Sequence, residues 1–149
     1  MDEKAINRKL KNVKNYLGTF ALDELNEIKI NSLPSFFIIN LDHRKYGEGT
    51  HWIAIGVYRK TLFICDSLGG LKPDDSFPTE LVNFLNALLA RRKLEMTKQL
   101  QPSESDTCGF YCVTFVKEMA KTNNFNDFLT LFTDNFYSND RVIKFLNKR

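Results

Sequence analysis

The sequence predicts an α+β fold, a small mixed or antiparallel sheet packed against helices. Two observations carry it. Short apolar runs of strand length stand apart from longer segments whose apolar residues recur at helical spacing. Their order along the chain is helix, three strands, helix, strand, then a helical C-terminal third, which suits a sheet with helices laid against it. The 149 residues, 43% of them hydrophobic, fit one domain over residues 1–149 with a single core.

Residues 4–17 carry Ile6, Leu10, Val13 and Leu17 at helical spacing, predicting an amphipathic helix on the core. Residues 35–41 (SFFIINL) are a continuous apolar run, followed by the polar loop DHRKYGEG. Residues 51–58 (HWIAIGVY) and 61–66 (TLFICD) predict a hairpin turning at Arg59–Lys60. After SLGGLKPDDSFP comes a helix over 79–93, with Leu81, Phe84, Leu85, Leu88 and Leu89 on one side, then a short strand over 94–100. Residues 108–121 predict a helix that buries Cys112, Phe115, Val116 and Met119. Two further helices are expected over 125–132 and 138–148, the last capped by Ser138 or Asn139.

Composition narrows the class. Aromatic residues make up 13% of the chain, and 13 phenylalanines dominate them, as in a folded globule. No run approaches the roughly 18 consecutive apolar residues of a membrane-spanning helix. The opening MDEKAINRKL has charges from the start and no apolar h-region, so secretion is not expected. Three cysteines without a repeated spacing argue against a disulfide framework and for a reducing compartment. The net charge of +3 is unevenly spread. Lys4, Arg8, Lys9, Lys11 and Lys14 face only Asp2 and Glu3 near the start; Arg91, Arg92 and Lys93 form a second run, and Arg141, Lys144, Lys148 and Arg149 a third. Such patches serve as solvated helix faces or as a seat for an anionic partner such as nucleic acid.

A nucleophilic cysteine needs a lowered pKa, a base in reach and donors for the oxyanion formed on attack. Of the three cysteines only Cys108 stands where a predicted helix begins, after the breaker-rich QPSESDT. The unpaired N–H groups and the positive end of the helix dipole there favour a thiolate. Gly109 follows, and the missing Cβ lets a substrate carbonyl approach the backbone. A buried core cysteine is the alternative reading of the same position.

The hairpin supplies the base. If Arg59–Lys60 form the turn, Tyr58 faces Thr61 and Asp66 lies opposite Ile53. Side chains alternate with period two, so His51, Ile53 and Asp66 share a face, with His51 and Asp66 diagonal neighbours. Cys65 points the other way. A slip of one residue would break the arrangement. His43 is a rival base, but it and Asp42 fall in a polar loop that no strand fixes. Trp52 is either a core aromatic or a shield beside the imidazole.

The order His51, Asp66, Gln101-Pro102, Cys108-Gly109 resembles the adenovirus maturation proteases (adenain) and the wider group that includes the SUMO-specific proteases. Leu17-Gly18-Thr19-Phe20 is similar to the LGTY segment of that family, and Gly49-Thr50-His51-Trp52 to its G-V-H-W. Asp66-Ser67-Leu68-Gly69 is similar to its Glu-Pro-Phe-Gly, and Cys108-Gly109-Phe110-Tyr111-Cys112 to its C-G-L-F-C. Gln101 stands seven residues before Cys108, the family's spacing. The likeness covers residues 17–121. Asp66 departs from the Glu usual in the adenovirus branch, and the chain is shorter than those enzymes.

The resemblance implies a cysteine-protease fold of the adenain type, papain-like with its elements in reverse. It makes Cys108 the nucleophile, His51 the base, Asp66 the third member and Gln101 the side-chain donor to the oxyanion, with Trp52, Gly109 and Gly49 toward the substrate. It implies a monomeric endopeptidase of a DNA virus, virophage or virus-like transposon. Its substrates would be capsid or core precursors cut at Gly-rich sites, in the virion and the infected cell. The sequence requires no cofactor, while the family's DNA and peptide activators make activation by either an expectation. Removal of SUMO-like modifiers and acetyl transfer with a similar triad are the alternatives within this chemistry. A zinc module built on Cys108, Cys112 and a histidine is a further alternative, for which C-x₃-C without a second pair is a poor spacing.

Overall fold

The structure, a computed structural model, describes residues 1–41, 51–69 and 77–148. Its first helix, α1 (Glu3–Leu10), starts at Asp2, whose Oδ1 accepts the Ala5 N–H at 2.8 Å. Ile6 and Leu10 are buried as the periodicity predicts, but the helix ends well before residue 17. Asn15 adopts a left-handed φ of 63° and turns the chain into β1 (Tyr16–Phe20). Val13 and Leu17 fall at helical spacing from Leu10 although a turn and a strand separate them from the helix. Gly18, at φ 128°, and a register shift between Tyr16 and Thr19 interrupt the strand pattern. A 3-10 helix (Leu22–Glu27), absent from the sequence reading, begins where the Ala21 N–H donates to the Glu24 carboxylate at 2.9 Å.

The sheet then continues through β2 (Ser35–Asn40), β3 (Trp52–Val57), β4 (Thr61–Cys65) and, after α2 (Thr79–Leu89), β5 (Lys93–Met96). The strands lie in sequence order, β1-β2-β3-β4-β5. The outer pairs β1–β2 and β4–β5 are parallel, and the inner pairs are antiparallel. The sheet is therefore mixed, and the fold class is α+β as the sequence predicts. The hairpin register is the expected one: Ala54 pairs with Cys65 and Val57 with Leu62, and the Tyr58 N–H donates to the Thr61 carbonyl at 2.9 Å.

Every residue of β2 and β3 is buried, because the sheet is covered on both faces. On one side, Leu22 and Leu25 of the 3-10 helix and Leu81 and Leu85 of α2 pack on Phe37, Ile39, Ile53, Ile55 and Ile64. On the other, α1, α3 (Cys108–Thr122), α4 (Phe125–Leu129) and α5 (Phe136–Leu146) pack on Phe36, Ile38, Trp52, Ala54 and Cys65. The phenylalanines hold the C-terminal third in place; Phe128 meets Phe115 and Phe132 edge to face, with centroids 5.4 and 5.2 Å apart. Asn135, rather than Ser138 or Asn139, caps α5 by accepting the Ser138 N–H at 3.0 Å. Asn139 and Asp140 are instead buried on the inner side of that helix. Among the described residues no helix is long and apolar enough to cross a membrane.

Candidate active site

The ends of β3 and β4 and the start of α3 converge at one end of the sheet. His51 precedes the first residue of β3 and Asp66 follows the last of β4. Nε2 of His51 and Oδ1 of Asp66 lie 2.8 Å apart. Asp66 is buried and held from both sides of its backbone. Its N–H donates to Thr97 Oγ1 at 2.9 Å, and the same hydroxyl donates back to its carbonyl at 2.8 Å. Its carboxylate also accepts the Leu68 N–H at 3.1 Å. The orienting acid is thus fixed by its own turn and by the residue after β5.

Cys108, 5% exposed, opens α3, and its Sγ accepts the Trp52 backbone N–H at 3.4 Å. His51 Nδ1 is buried without a nitrogen or oxygen partner. With Nε2 given to Asp66, Nδ1 is the ring nitrogen left for the thiol, and Cys108 is among the groups that act on the ring. Burial alone would depress the His51 pKa. The hydrogen bond and charge of Asp66, with a contribution from Cys108, outweigh it and push the pKa up to about 9. An imidazolium that persists to mildly alkaline pH beside a sulfur stabilises a thiolate.

One part of the expected geometry is corrected. Alternation puts His51 and Asp66 on the Ile53 face, which α2 and the 3-10 helix cover, whereas Cys108 packs with Trp52 and Cys65 on the other side. His51 and Asp66 stand at the ends of their strands, where the Leu41 N–H donates to the His51 carbonyl at 3.0 Å and the Asp66 N–H to Thr97 Oγ1 at 2.9 Å. From these ends the pair reaches the start of α3, where Cys108 acts on the His51 ring. Cys65 is buried in the same cluster as Cys108 and Cys112. Burial, then the neighbouring Asp66 and Cys108, raise its pKa well above the ordinary thiol range. Burial does the same to Cys112, helped by Cys65 and Cys108. Neither thiol is poised to react.

Gln101 is buried, and its amide is committed at both ends. Oε1 accepts from Ser67 Oγ, and Nε2 donates to the Ser105 carbonyl at 2.9 Å and to Ser105 Oγ at 3.0 Å. The Ser67 carbonyl accepts the Leu100 and Gln101 N–H groups at 2.8 and 3.1 Å, which ties the turn carrying Asp66 to the segment carrying Gln101. In this conformation the amide faces the turn before α3.

Trp52 belongs to the core cluster that holds Cys108, and its indole N–H donates to the Met1 carbonyl at 3.2 Å. A Cβ on Gly109 would come within 3.1 Å of Met1 Cβ and 3.6 Å of the Trp52 ring. What the bare Gly109 backbone admits here is Met1. Gly49, Asp42 and His43 lie outside the described residues. Thr97, Ser105 and Thr107, which complete the site, stand outside the motifs that match the family, and Ser67 enters them only as the neighbour of Asp66. Single hydroxyl residues in loops carry no periodic signal, and only the spacing of Ser67 and Ser105 from Asp66 and Cys108 hints at them.

Gly69 closes this turn. Its N–H donates to the Asp66 carbonyl at 2.9 Å, its φ is positive, and a Cβ there would collide with the backbone of Lys98 and Gln99. Gly69→Ala is expected to lower stability by about 1–3 kcal/mol and to disturb the His51–Asp66 pair. Denaturant unfolding measures the first effect. An unchanged midpoint would show that the turn yields freely.

Comparison with solved structures places this architecture. The chain shares its fold with HopZ1a. HopZ1a in complex with IP6 aligns with a TM-score of 0.53 at 13% identity over 83% of this chain and 45% of that one. HopZ1a with IP6 and CoA aligns with the same score at 16% identity, over 83% and 42%. The chain thus spans less than half the length of either HopZ1a chain. The central domain of Lpg1148 from Legionella pneumophila matches over 98% of this chain and 92% of its own, with a TM-score of 0.55 and 14% identity. No protein-family model matches the sequence, and no curated protein does. The mixed five-stranded sheet between helices is the α+β architecture that the sequence predicts.

Proposed function

We propose that the chain is a cysteine-dependent acyl-transfer enzyme, with Cys108 as nucleophile, His51 as its acid and base, and Asp66 orienting His51. The observation that carries this reading is the His51–Asp66 pair at 2.8 Å set against a cysteine at the start of a helix. The Cys108 thiolate attacks an acyl carbonyl, and the new C–S bond forms as the carbonyl electrons move to oxygen. The backbone N–H groups at the start of α3, and the side-chain amide of Gln101, receive that charge. As the oxyanion collapses, the bond to the leaving group breaks and His51 delivers the proton to it. An acceptor then attacks the thioester and gives its proton to His51, and the C–S bond breaks to restore the Cys108 thiolate beside the imidazolium.

The motif order supports water as acceptor and a peptide or isopeptide amide as donor, which makes the enzyme a peptidase. Processing of capsid precursors rests on that resemblance alone. A second reading is acetyl transfer from acetyl-CoA, and the complex of the similarly folded HopZ1a with CoA favours it. The IP6 in the same complex supports an anionic activator, for which the basic residues of α1 and α5, adjoining where Lys9 Nζ donates to the Asn147 carbonyl at 3.0 Å, offer a seat.

Intact-mass measurement after incubation with acetyl-CoA, with capsid precursor or with modifier conjugates separates these. An acetyl adduct with release of CoA assigns acetyl transfer, and new chain ends assign proteolysis. The same products from the Cys108→Ala protein would refute the proposal.

A further inference from the structure

We propose that Asp140, on the C-terminal helix and outside every motif of the sequence, is a positioning residue for Gln101 and for the turn that delivers Cys108. The inference rests on the acyl-transfer reading above. Asp140 Oδ1 accepts from Thr107 Oγ1 at 2.8 Å and from the Tyr111 hydroxyl at 2.8 Å. Thr107 stands at the N-cap of α3, where a threonine oxygen ordinarily accepts a backbone N–H of the first turn, yet it makes no capping bond and its hydroxyl points to Asp140 instead. Ser105 Oγ lies 2.9 Å from Thr107 Oγ1, and Gln101 Nε2 lies 3.0 Å from Ser105 Oγ.

The proton count fixes the direction of this chain. Each hydroxyl has one proton, and a carboxylate only accepts. Thr107 spends its proton on Asp140, so Ser105 must donate to Thr107 and is left to accept from Gln101. The amide nitrogen is thereby held toward Ser105, and its oxygen is left for Ser67 Oγ. The buried acid thus acts with the Ser105 carbonyl, which accepts the same Nε2 at 2.9 Å, to set which way the Gln101 amide faces, although it never touches it. The neighbouring Asn139 grips the other end of the same segment, its Nδ2 donating to the Leu100 carbonyl at 2.9 Å. One helical dipeptide thus clamps the chain between Leu100 and Thr107, the stretch from the amide donor to the nucleophile.

The test is a double-mutant cycle in the full chain, with p-nitrophenyl acetate as acyl donor. The burst of p-nitrophenolate reads acylation, and iodoacetamide labelling reads thiolate reactivity, which needs no oxyanion donor. Asp140→Ala is expected to slow acylation on the order of 10- to 100-fold, to leave alkylation of Cys108 within about twofold, and to cost nothing more once Gln101 is alanine. Thr107→Val, which breaks the chain at another link, should repeat the pattern. Asp140→Asn, which keeps an acceptor, should restore most of the rate.

Full acylation by Asp140→Ala, a faster rate, or losses that add to those of Gln101→Ala would overturn the proposal. Should Asp140→Ala fail to fold, Thr107→Val and Asp140→Asn decide in the same terms. A wild-type burst that survives Cys108→Ala would instead remove the acyl-transfer reading itself, so the two failures are distinguishable.

Discussion

Cys108→Ala is expected to eliminate acylation by p-nitrophenyl acetate and any turnover of the natural substrate, while the protein keeps its fold. The loss should reach at least about 10³-fold, since no other group on the chain can take over the nucleophile's part. Cys65 and Cys112 are the only other thiols. Both are sealed in the core, and burial raises their pKa, so neither offers a thiolate. The structural cost is small. The alanine removes one acceptor, the sulfur that takes the Trp52 N–H, which is worth about 1 kcal/mol. Cys108→Ser keeps an oxygen in that place and should be as inactive, because a hydroxyl is not ionised by an imidazolium partner. Circular dichroism and the burst amplitude together check this. A folded Cys108→Ala protein that still shows a burst would move the nucleophile elsewhere.

The register of the hairpin was legible because it depends on two local facts, the Arg59–Lys60 turn and the alternation on either side, and the ladder follows it pair by pair. The place where His51 and Asp66 meet Cys108 was not, because both stand at strand ends, where tertiary contacts such as those of Thr97 with Asp66 set direction. The first strand was hidden for a different reason. A three- and four-residue spacing of apolar positions continues from Leu10 through Val13 to Leu17, and a left-handed Asn15 that ends the helix leaves no mark in that pattern. The C-terminal helix reverses the usual rule. Tyr137 and Phe145 are 62% and 70% exposed, while Asn139 and Asp140 are buried. Periodicity assigns polar residues to water, so the two that hold the reactive segment could not be found from hydrophobic spacing. They are explained by partners far away in sequence, Leu100 and Thr107.

Asp66→Asn is expected to have the second largest effect and to show it most clearly in pH. The asparagine keeps an oxygen for the Leu68 N–H but loses the charge that, against the opposing pull of burial, lifts His51 to about 9. Activity in the wild type should hold through neutral pH and fall as the His51 proton leaves near pH 9, because the leaving group then finds no donor. In Asp66→Asn that alkaline limb should move down toward or below the ordinary histidine value, with kcat reduced by a factor on the order of 10² to 10⁴. Stability follows the same proton. A histidine whose pKa is higher in the folded chain stabilises it fully below about pH 6.5. That contribution is lost as pH climbs to the folded value, about 9. Over that interval it amounts to roughly 3 kcal/mol. Unfolding midpoints of the two proteins should therefore differ most at pH 6 and converge above pH 9. A constant difference across that range would show that Asp66 acts through its hydrogen bonds alone and leaves the protonation of His51 untouched.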